Sequence, residues 1–173
     1  MDLSLVEREN VLLGQDFLTW LWYKTDNENV LFQLEDKRTF SLQMEQKVSV
    51  QGGDGEGVET ATVSSPRGEL TEAKTGLRTG KKVNKAQLLF TMDQDEWLMQ
   101  VNSKDFGLSG LKTPKVQTKD DDGDDPDSKF LEKMFLLERC LEMFDIVFTQ
   151  FLHLRMSKEW REESAKVKLW ING

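Results

Sequence analysis

Apolar residues recur at three- and four-residue steps near both ends of the chain, a spacing that places them on one face of a helix. The first such segment predicts a helix from Asn10 to Lys24. A longer segment predicts a helix from about Ser128 to Arg155, and a last helix is predicted from Ser157 to about Ile171. The stripe expected on the long helix comprises Phe130, Met134, Leu137, Leu141, Phe144, Phe148 and Phe151.

Between these helices the chain alternates apolar and polar residues, which is the pattern of half-buried strands. A short helix from Glu69 to Arg78, with a proline at its start and Gly80 after its end, is inserted among them. The predicted class is α+β: a mainly antiparallel sheet with an N-terminal helix, one inserted helix and two C-terminal helices. Strands are predicted over 30–34, 39–44, 47–50, 58–63, 83–92 and 96–102.

Length and composition fit one domain over residues 1–173 with a sizeable core, since 38% of the residues are hydrophobic and 31% are charged. An acidic run from Asp120 to Asp127 is expected to be solvated, within a linker at about 118–127. If Gly123 were the sixth position of a calcium-binding EF-hand loop, Thr118 and Lys129 would stand at ligand positions. No metal site is therefore predicted there.

Two glycine-rich stretches resemble phosphate loops only superficially. Gly52–Gly57 contains Asp54 and Glu56, which would repel phosphate, and it predicts a hairpin turn. The stretch from Gly76 to Lys82 has three residues between its glycines where a Walker A loop has four. It also ends in lysine where Ser or Thr must reach magnesium. Neither stretch predicts a nucleotide site, and no cofactor is expected.

Charge is distributed unevenly along the chain. The formal net charge is −8, yet residues 66–119 carry ten basic and six acidic groups. A basic block inside an acidic protein indicates either a local anion site or a solvated turn. Only the middle third could attract a polyanion without help from the fold. The candidate DNA-contacting residues are Arg78, Lys81, Lys82 and Lys85, with Lys112 and Lys115 as a second strip.

The sequence offers no catalytic constellation. His153 is the only histidine, so a typical zinc site lacks its second imidazole. Cys140, the only cysteine, lies on the long predicted helix, where packing is a better interpretation than nucleophilic catalysis. A single cysteine suits a reducing compartment. The carboxylates Glu59, Asp93, Asp95 and Glu96 are candidates for metal-dependent nuclease chemistry only by residue type.

The first residues lack a basic segment followed by an apolar one, so no signal peptide is predicted and a cytoplasmic location is expected. Trp20, Trp22 and Tyr23 could form a stacking platform for bases, although helical spacing favours burial of two of them. The stripe of the long helix covers more than one face. It is therefore expected to pack on the sheet and to leave surface for a partner, a homodimer among the candidates.

Several segments resemble the recombination-associated protein RdgC family. The run Leu-Gly-Gln-Asp-Phe-Leu-Thr-Trp-Leu-Trp over 13–22 is similar to a helix motif of that family. The run Thr-Gly-Lys-Lys-Val-Asn-Lys-Ala-Gln-Leu over 79–88 is similar to its basic turn entering a strand. The strand with Trp97 and the long apolar helix follow in the family's order. The match covers most of residues 11–155 and corresponds to the C-terminal half of a full-length member.

This resemblance implies a nucleoid-associated protein that binds single- or double-stranded DNA with little sequence preference and restrains RecA-dependent recombination. Full-length members resemble ring dimers that enclose duplex DNA in a basic hole. An exonuclease label attached to the family has no support in these residues, so no enzymatic activity is expected. The alternative is a protein-interaction module without DNA affinity, acting on recombination or phage proteins.

Overall fold

The computed structural model describes residues 3–27, 30–52, 59–64, 71–117 and 126–173. Within these ranges the chain is α+β, as the hydrophobic pattern predicts. The predicted turn over 52–57, the start of the inserted helix and the acidic linker lie largely outside the described residues. The elements are α1 (Leu3–Asn27), β1 (Leu31–Gln33), β2 (Thr39–Gly52), β3 (Glu59–Ser64), α2 (Thr71–Arg78), β4 (Lys82–Met92), β5 (Asp95–Asn102), β6 (Leu108–Lys112), α3 (Pro126–Met156) and α4 (Trp160–Asn172).

The described strands form one antiparallel sheet in the order β1-β2-β4-β5-β6, with β3 paired to the far end of β2. The two strands expected over 39–44 and 47–50 are one strand, β2. A register shift between Glu45 and Val48 lets β2 stay paired with β4 across the polar residues that looked like a break.

All four helices contribute to one face of the sheet. Strand β4 alternates between fully buried residues, such as Leu88 and Phe90, and partly exposed ones, such as Gln87 and Leu89. Its buried side chains join those of β2, β5 and the helices in a single hydrophobic core. The opposite face of the sheet carries no described helix, and that open face is the surface on which a site can be built.

Strand β6 was not predicted, and Lys112 is its last residue. Its residues are mostly exposed, and Gly110 has φ of +60°, a left-handed conformation that interrupts regular pairing. The pairing with β5 shifts between Leu98 and Gln100, which is consistent with an irregular edge strand. An exposed edge strand lacks the apolar alternation on which sequence reasoning depends.

The first half of helix α3 buries a different stripe from the one predicted, whereas Phe144 and Phe148 in its second half pack against the core as expected. Phe130, Met134 and Leu141 are 61%, 40% and 52% exposed, whereas Phe151 is buried as expected. The indole Nε1 of Trp97 donates a hydrogen bond of 3.0 Å to the Leu136 carbonyl oxygen, which turns this side of the helix toward the sheet. The buried positions of α3 are Leu136, Cys140, Met143, Val147 and Phe151.

Polar contacts join the first helix to the last one. Trp20 Nε1 donates to Glu163 Oε1 at 3.1 Å, and Lys24 Nζ lies 3.1 Å from the same oxygen. Glu163 is a buried carboxylate, so its two partners satisfy a charge that would otherwise oppose folding. Further along, Trp170 Nε1 donates to Asp26 Oδ2 at 2.7 Å. The two ends of the chain thus fold against each other.

Candidate nucleic-acid interface

The open face of the sheet is built from the residues that alternate with the core positions. Paired residues of neighbouring strands project to the same side, so the register assigns each position to a face. None of the positions whose exposure is described is buried. Apart from Leu31, Leu89 and Leu98 they are polar or charged: Gln33, Thr39, Ser41, Gln43, Lys82, Lys85, Gln87, Thr91, Glu96, Gln100, Asn102, Ser109 and Lys112.

Three of the six predicted lysine and arginine contacts share this face. Lys85 pairs with Asn102, and Lys112 pairs with Leu98, so both project away from the helices. Lys82 pairs with Gln51, next to the buried Val83. The register shift between Lys82 and Lys85 adds one residue, which returns both lysines to the same side. All three side chains are exposed.

Arg78 and Lys81 belong instead to the end of α2. The Gly80 N–H bonds to the Leu77 carbonyl at 3.1 Å, and the Lys81 N–H bonds to the Gly76 carbonyl at 3.1 Å. With Gly80 at φ +89°, this is a Schellman cap, which explains the second glycine of the stretch that resembled a phosphate loop. Arg78 Nε donates to the Ile171 carbonyl oxygen at 2.8 Å and so ties α2 to the end of α4.

One further lysine lies near the basic surface, whereas no strand pairing assigns Lys115 to it. Lys115 is exposed in the segment that follows β6, beyond the last residue paired with β5. Lys104, which sequence reasoning missed, is exposed in the turn that joins β5 to β6, where its backbone N–H donates to Asn102 Oδ1 at 3.0 Å. Sequence reasoning could not identify Lys104 as a neighbour of Lys85, because the two are brought near each other only by the pairing of Lys85 with Asn102.

Lys85 and Lys112 are separated by a distance that spans several phosphates along one DNA strand. Leu89 lies four residues after Lys85 and pairs with Leu98, which in turn pairs with Lys112. With ~3.3 Å per residue and ~4.8 Å per strand, the Cα atoms of the two lysines are about 16 Å apart. Glu45 holds a register position on the one row between them, and Glu96 lies on the next row beyond Leu98. The two lysines are therefore separate positive positions on the face, with carboxylate positions between and beyond them.

The three neighbouring aromatic residues considered as a stacking platform do not lie on this surface. Trp20 and Trp22 are each 4% exposed in the core, which confirms the interpretation that two of the three neighbouring aromatics are buried. Tyr23 is half-buried, with its ring centroid 5.9 Å from that of Trp170. Among the described positions of the open face no residue is aromatic. Contacts of this face with a nucleic acid would therefore be polar and ionic rather than stacking.

The carboxylates considered for nuclease chemistry do not converge. Glu59 pairs with Gly52 at one end of the sheet, whereas Asp95 pairs with Met92 at the other end. Strand β4, Lys82–Met92, separates the two positions by roughly 30 Å. Within the described residues no group of three or more His, Cys, Asp or Glu side chains could hold a metal ion.

Cys140 is fully buried in the core, and burial raises the pKa of its thiol from 9.0 to about 12. At pH 8 the thiolate fraction of the folded protein is therefore about a thousandfold lower than for a thiol of pKa 9. We expect native protein to react with Ellman's reagent about a thousandfold more slowly than protein in 6 M guanidinium chloride, followed at 412 nm. Comparable rates in the two states would contradict the packing role.

No protein-family model, curated protein or solved structure matches this chain. No helix in the described residues has the length and apolar content needed to cross a membrane.

Proposed function

We propose that this protein binds DNA non-catalytically and with little sequence preference, through the open face of its sheet. The observation that carries the proposal is a mostly polar face, covered by no helix among the described residues, that presents exposed Lys82, Lys85 and Lys112 in a chain whose formal net charge is −8. The resemblance of residues 11–155 to the RdgC family supports the same role and points to recombination and the nucleoid as its setting.

The mechanism would be neutralisation of phosphates by lysine ammonium groups, with release of condensed counterions as the main driving force. Over about 16 Å one strand of B-DNA presents about five phosphates, so Lys85 and Lys112 can reach different phosphates of one strand. Between them the side-chain amides of Gln87 and Gln100 can donate hydrogen bonds to backbone oxygens. Such contacts hold DNA without reading its sequence.

The test measures fluorescence anisotropy of labelled 20-mers, single- and double-stranded, at several salt concentrations from about 50 to 200 mM. The decisive variant changes Lys82, Lys85 and Lys112 to glutamine together. We expect an affinity at least about tenfold weaker at the lowest salt, equally for different sequences, and a log–log salt slope reduced by about three.

The matched control changes three exposed lysines outside this face, Lys133, Lys158 and Lys168, to glutamine. It alters the net charge by the same amount, so an effect of overall charge would appear in both triple variants. Equal losses in the two, or no DNA binding by the unaltered protein, would refute the proposed face. Adding magnesium to the same reactions is expected to release no nucleotides from the labelled strands.

A second candidate function, protein interaction, is favoured by the first half of α3. Phe130, Leu131 and Phe135 are 61%, 64% and 55% exposed, which is unusual for such side chains on adjacent turns. A self-associating or partner-binding surface is the ordinary explanation of such a patch. The two functions are separable, because this patch lies on the helix and contains none of the open-face lysines.

A further inference from the structure

A cleft lies between the edge strand β1 and the second half of α3, and it has no part in the proposed DNA contacts. Its volume is about 500 Å³, within the range of pockets that hold ligands. One wall is β1, and the other is formed by successive turns of the helix. The residues of the helix wall are Asp145, Ile146, Thr149, Gln150 and His153.

The strand wall presents backbone groups for pairing. Leu34 N–H donates to the Arg38 carbonyl at 2.8 Å where the β1–β2 hairpin closes, and Phe32 is paired with Phe40 two residues earlier. Hydrogen-bonded pairs alternate in an antiparallel ladder, so the N–H and C=O groups of Leu31 and Gln33 point away from β2. In the described residues β1 has no strand on this outer side.

The helix wall supplies polar side chains whose hydrogen-bonding groups are available to a ligand. Among the described residues, the side chains of Asp145, Gln150 and His153 form no hydrogen bond or ion pair with another residue. Asp145 is the one formally charged group among the cleft residues when His153 is neutral. Leu31, 63% exposed, and Ile146 add apolar surface at the rim.

Neighbouring charges leave Asp145 as the acidic group available to a ligand. The Asp36 carboxylate near the β1–β2 turn is held by Arg38, whose hydrogen bond lowers the Asp36 pKa. Arg139 Nη1 lies 3.0 Å from Glu142 Oε2 and 3.8 Å from Asp36 Oδ2, which places this part of α3 beside the turn. Asp145 follows on the helix, so it lies toward the turn end of the cleft.

From this arrangement we infer that the cleft binds an extended basic peptide, which adds a strand to β1 and places a lysine or arginine against Asp145. Backbone pairing with Leu31 and Gln33 would supply affinity, and apolar side chains would alternate with the basic one. The negative charge of Asp145 on the helix wall favours a basic segment over an acidic one. The inference is independent of DNA binding, because the cleft contains no lysine of the open face.

The probes are two fluorescein-labelled octapeptides of alternating valine and threonine, one with a central lysine and one with glutamate at that place. We expect the lysine peptide to bind about tenfold more tightly in an anisotropy titration. In Asp145→Lys the preference should reverse in favour of the glutamate peptide. Asp145 is exposed, so this substitution leaves the core intact.

The strand-addition step is tested at Leu31, whose N–H points outward. Leu31→Pro removes that donor without removing a β1–β2 hydrogen bond, and proline is tolerated on the outer side of an edge strand. We expect a loss of about tenfold in peptide affinity, whereas Leu31→Ala, which keeps the N–H, loses less. Equal binding of the two peptides, unchanged affinity in Leu31→Pro, or no binding of the lysine peptide at about 1 mM would overturn the inference.

Discussion

Gly14→Ala is expected to destabilise the protein by about 3 kcal/mol, although the same change in a helix usually stabilises it by about 1 kcal/mol. A Cβ atom on Gly14 would lie 1.9 Å from the Ser103 carbonyl oxygen and 2.7 Å from its carbon. These are backbone atoms, and the Ser103 N–H is itself bonded to the Asn84 carbonyl at 2.8 Å. Neither partner can move aside, so α1 must lift from the sheet.

The measurement is urea unfolding followed by tryptophan fluorescence. Gly76→Ala is the matched control, because Gly76 is also helical but its Cβ would meet the Val50 Cγ2 methyl at 2.9 Å. A buried methyl group shifts at a lower cost than a hydrogen-bonded backbone carbonyl, so we expect a loss at least about 1 kcal/mol smaller than in Gly14→Ala. If Gly14→Ala proved as stable as Gly76→Ala, the close approach of α1 to Ser103 would be wrong.

Phe17→Ala is expected to cost about 4 kcal/mol, the usual price of deleting a fully buried phenylalanine. Phe17 lies at the centre of an aromatic cluster, and its ring centroid is 5.2 Å from that of Phe151 and 5.3 Å from that of Phe148. It also contacts Phe144 edge-on and Phe106 at a tilt, at 5.9 and 6.2 Å. Removing it leaves a cavity bordered by two helices and a loop.

Phe17→Leu provides the comparison, since it keeps most of the volume and is expected to cost under about 1.5 kcal/mol. Chemical denaturation of both variants gives the difference, and near-ultraviolet circular dichroism reports whether the remaining rings keep fixed positions. A loss below about 1 kcal/mol in Phe17→Ala would mean that α3 closes over the gap without cost.

The strands that alternate cleanly were predicted from the sequence, and the reason is physical. In β5, Trp97, Met99 and Val101 face the core while Leu98, Gln100 and Asn102 face outward. Every second residue is therefore buried, and this two-residue period can be read directly from the sequence. Helix α3 is apolar on several sides, and two overlapping stripes satisfy its periodicity equally well. The choice between them is made by tertiary contacts such as that of Trp97 with Leu136, which no local pattern contains.

The candidate interface was predictable only in part for the same reason. The basic segment 78–85 is visible in the sequence, but a helix cap assigns its first residues to the end of α2, and a register shift brings Lys82 and Lys85 together on the open face. Lys85 and Lys112 come together on one face through two strand pairings. The cleft is still less accessible to sequence reasoning, because it joins Leu31 to His153 across most of the chain.

The contacts between α1 and the C-terminal helices also constrain when the protein can fold during synthesis. The hydrogen bonds Trp20–Glu163 and Trp170–Asp26 join residues 143 and 144 positions apart, and Arg155 reaches Asp16 across 139. The first helix leaves the ribosome long before its partners exist, with its aromatic side chains still uncovered. These contacts of α1 form only after α3 and α4 have been synthesised, and until then the nascent chain is more exposed to aggregation and to chaperones.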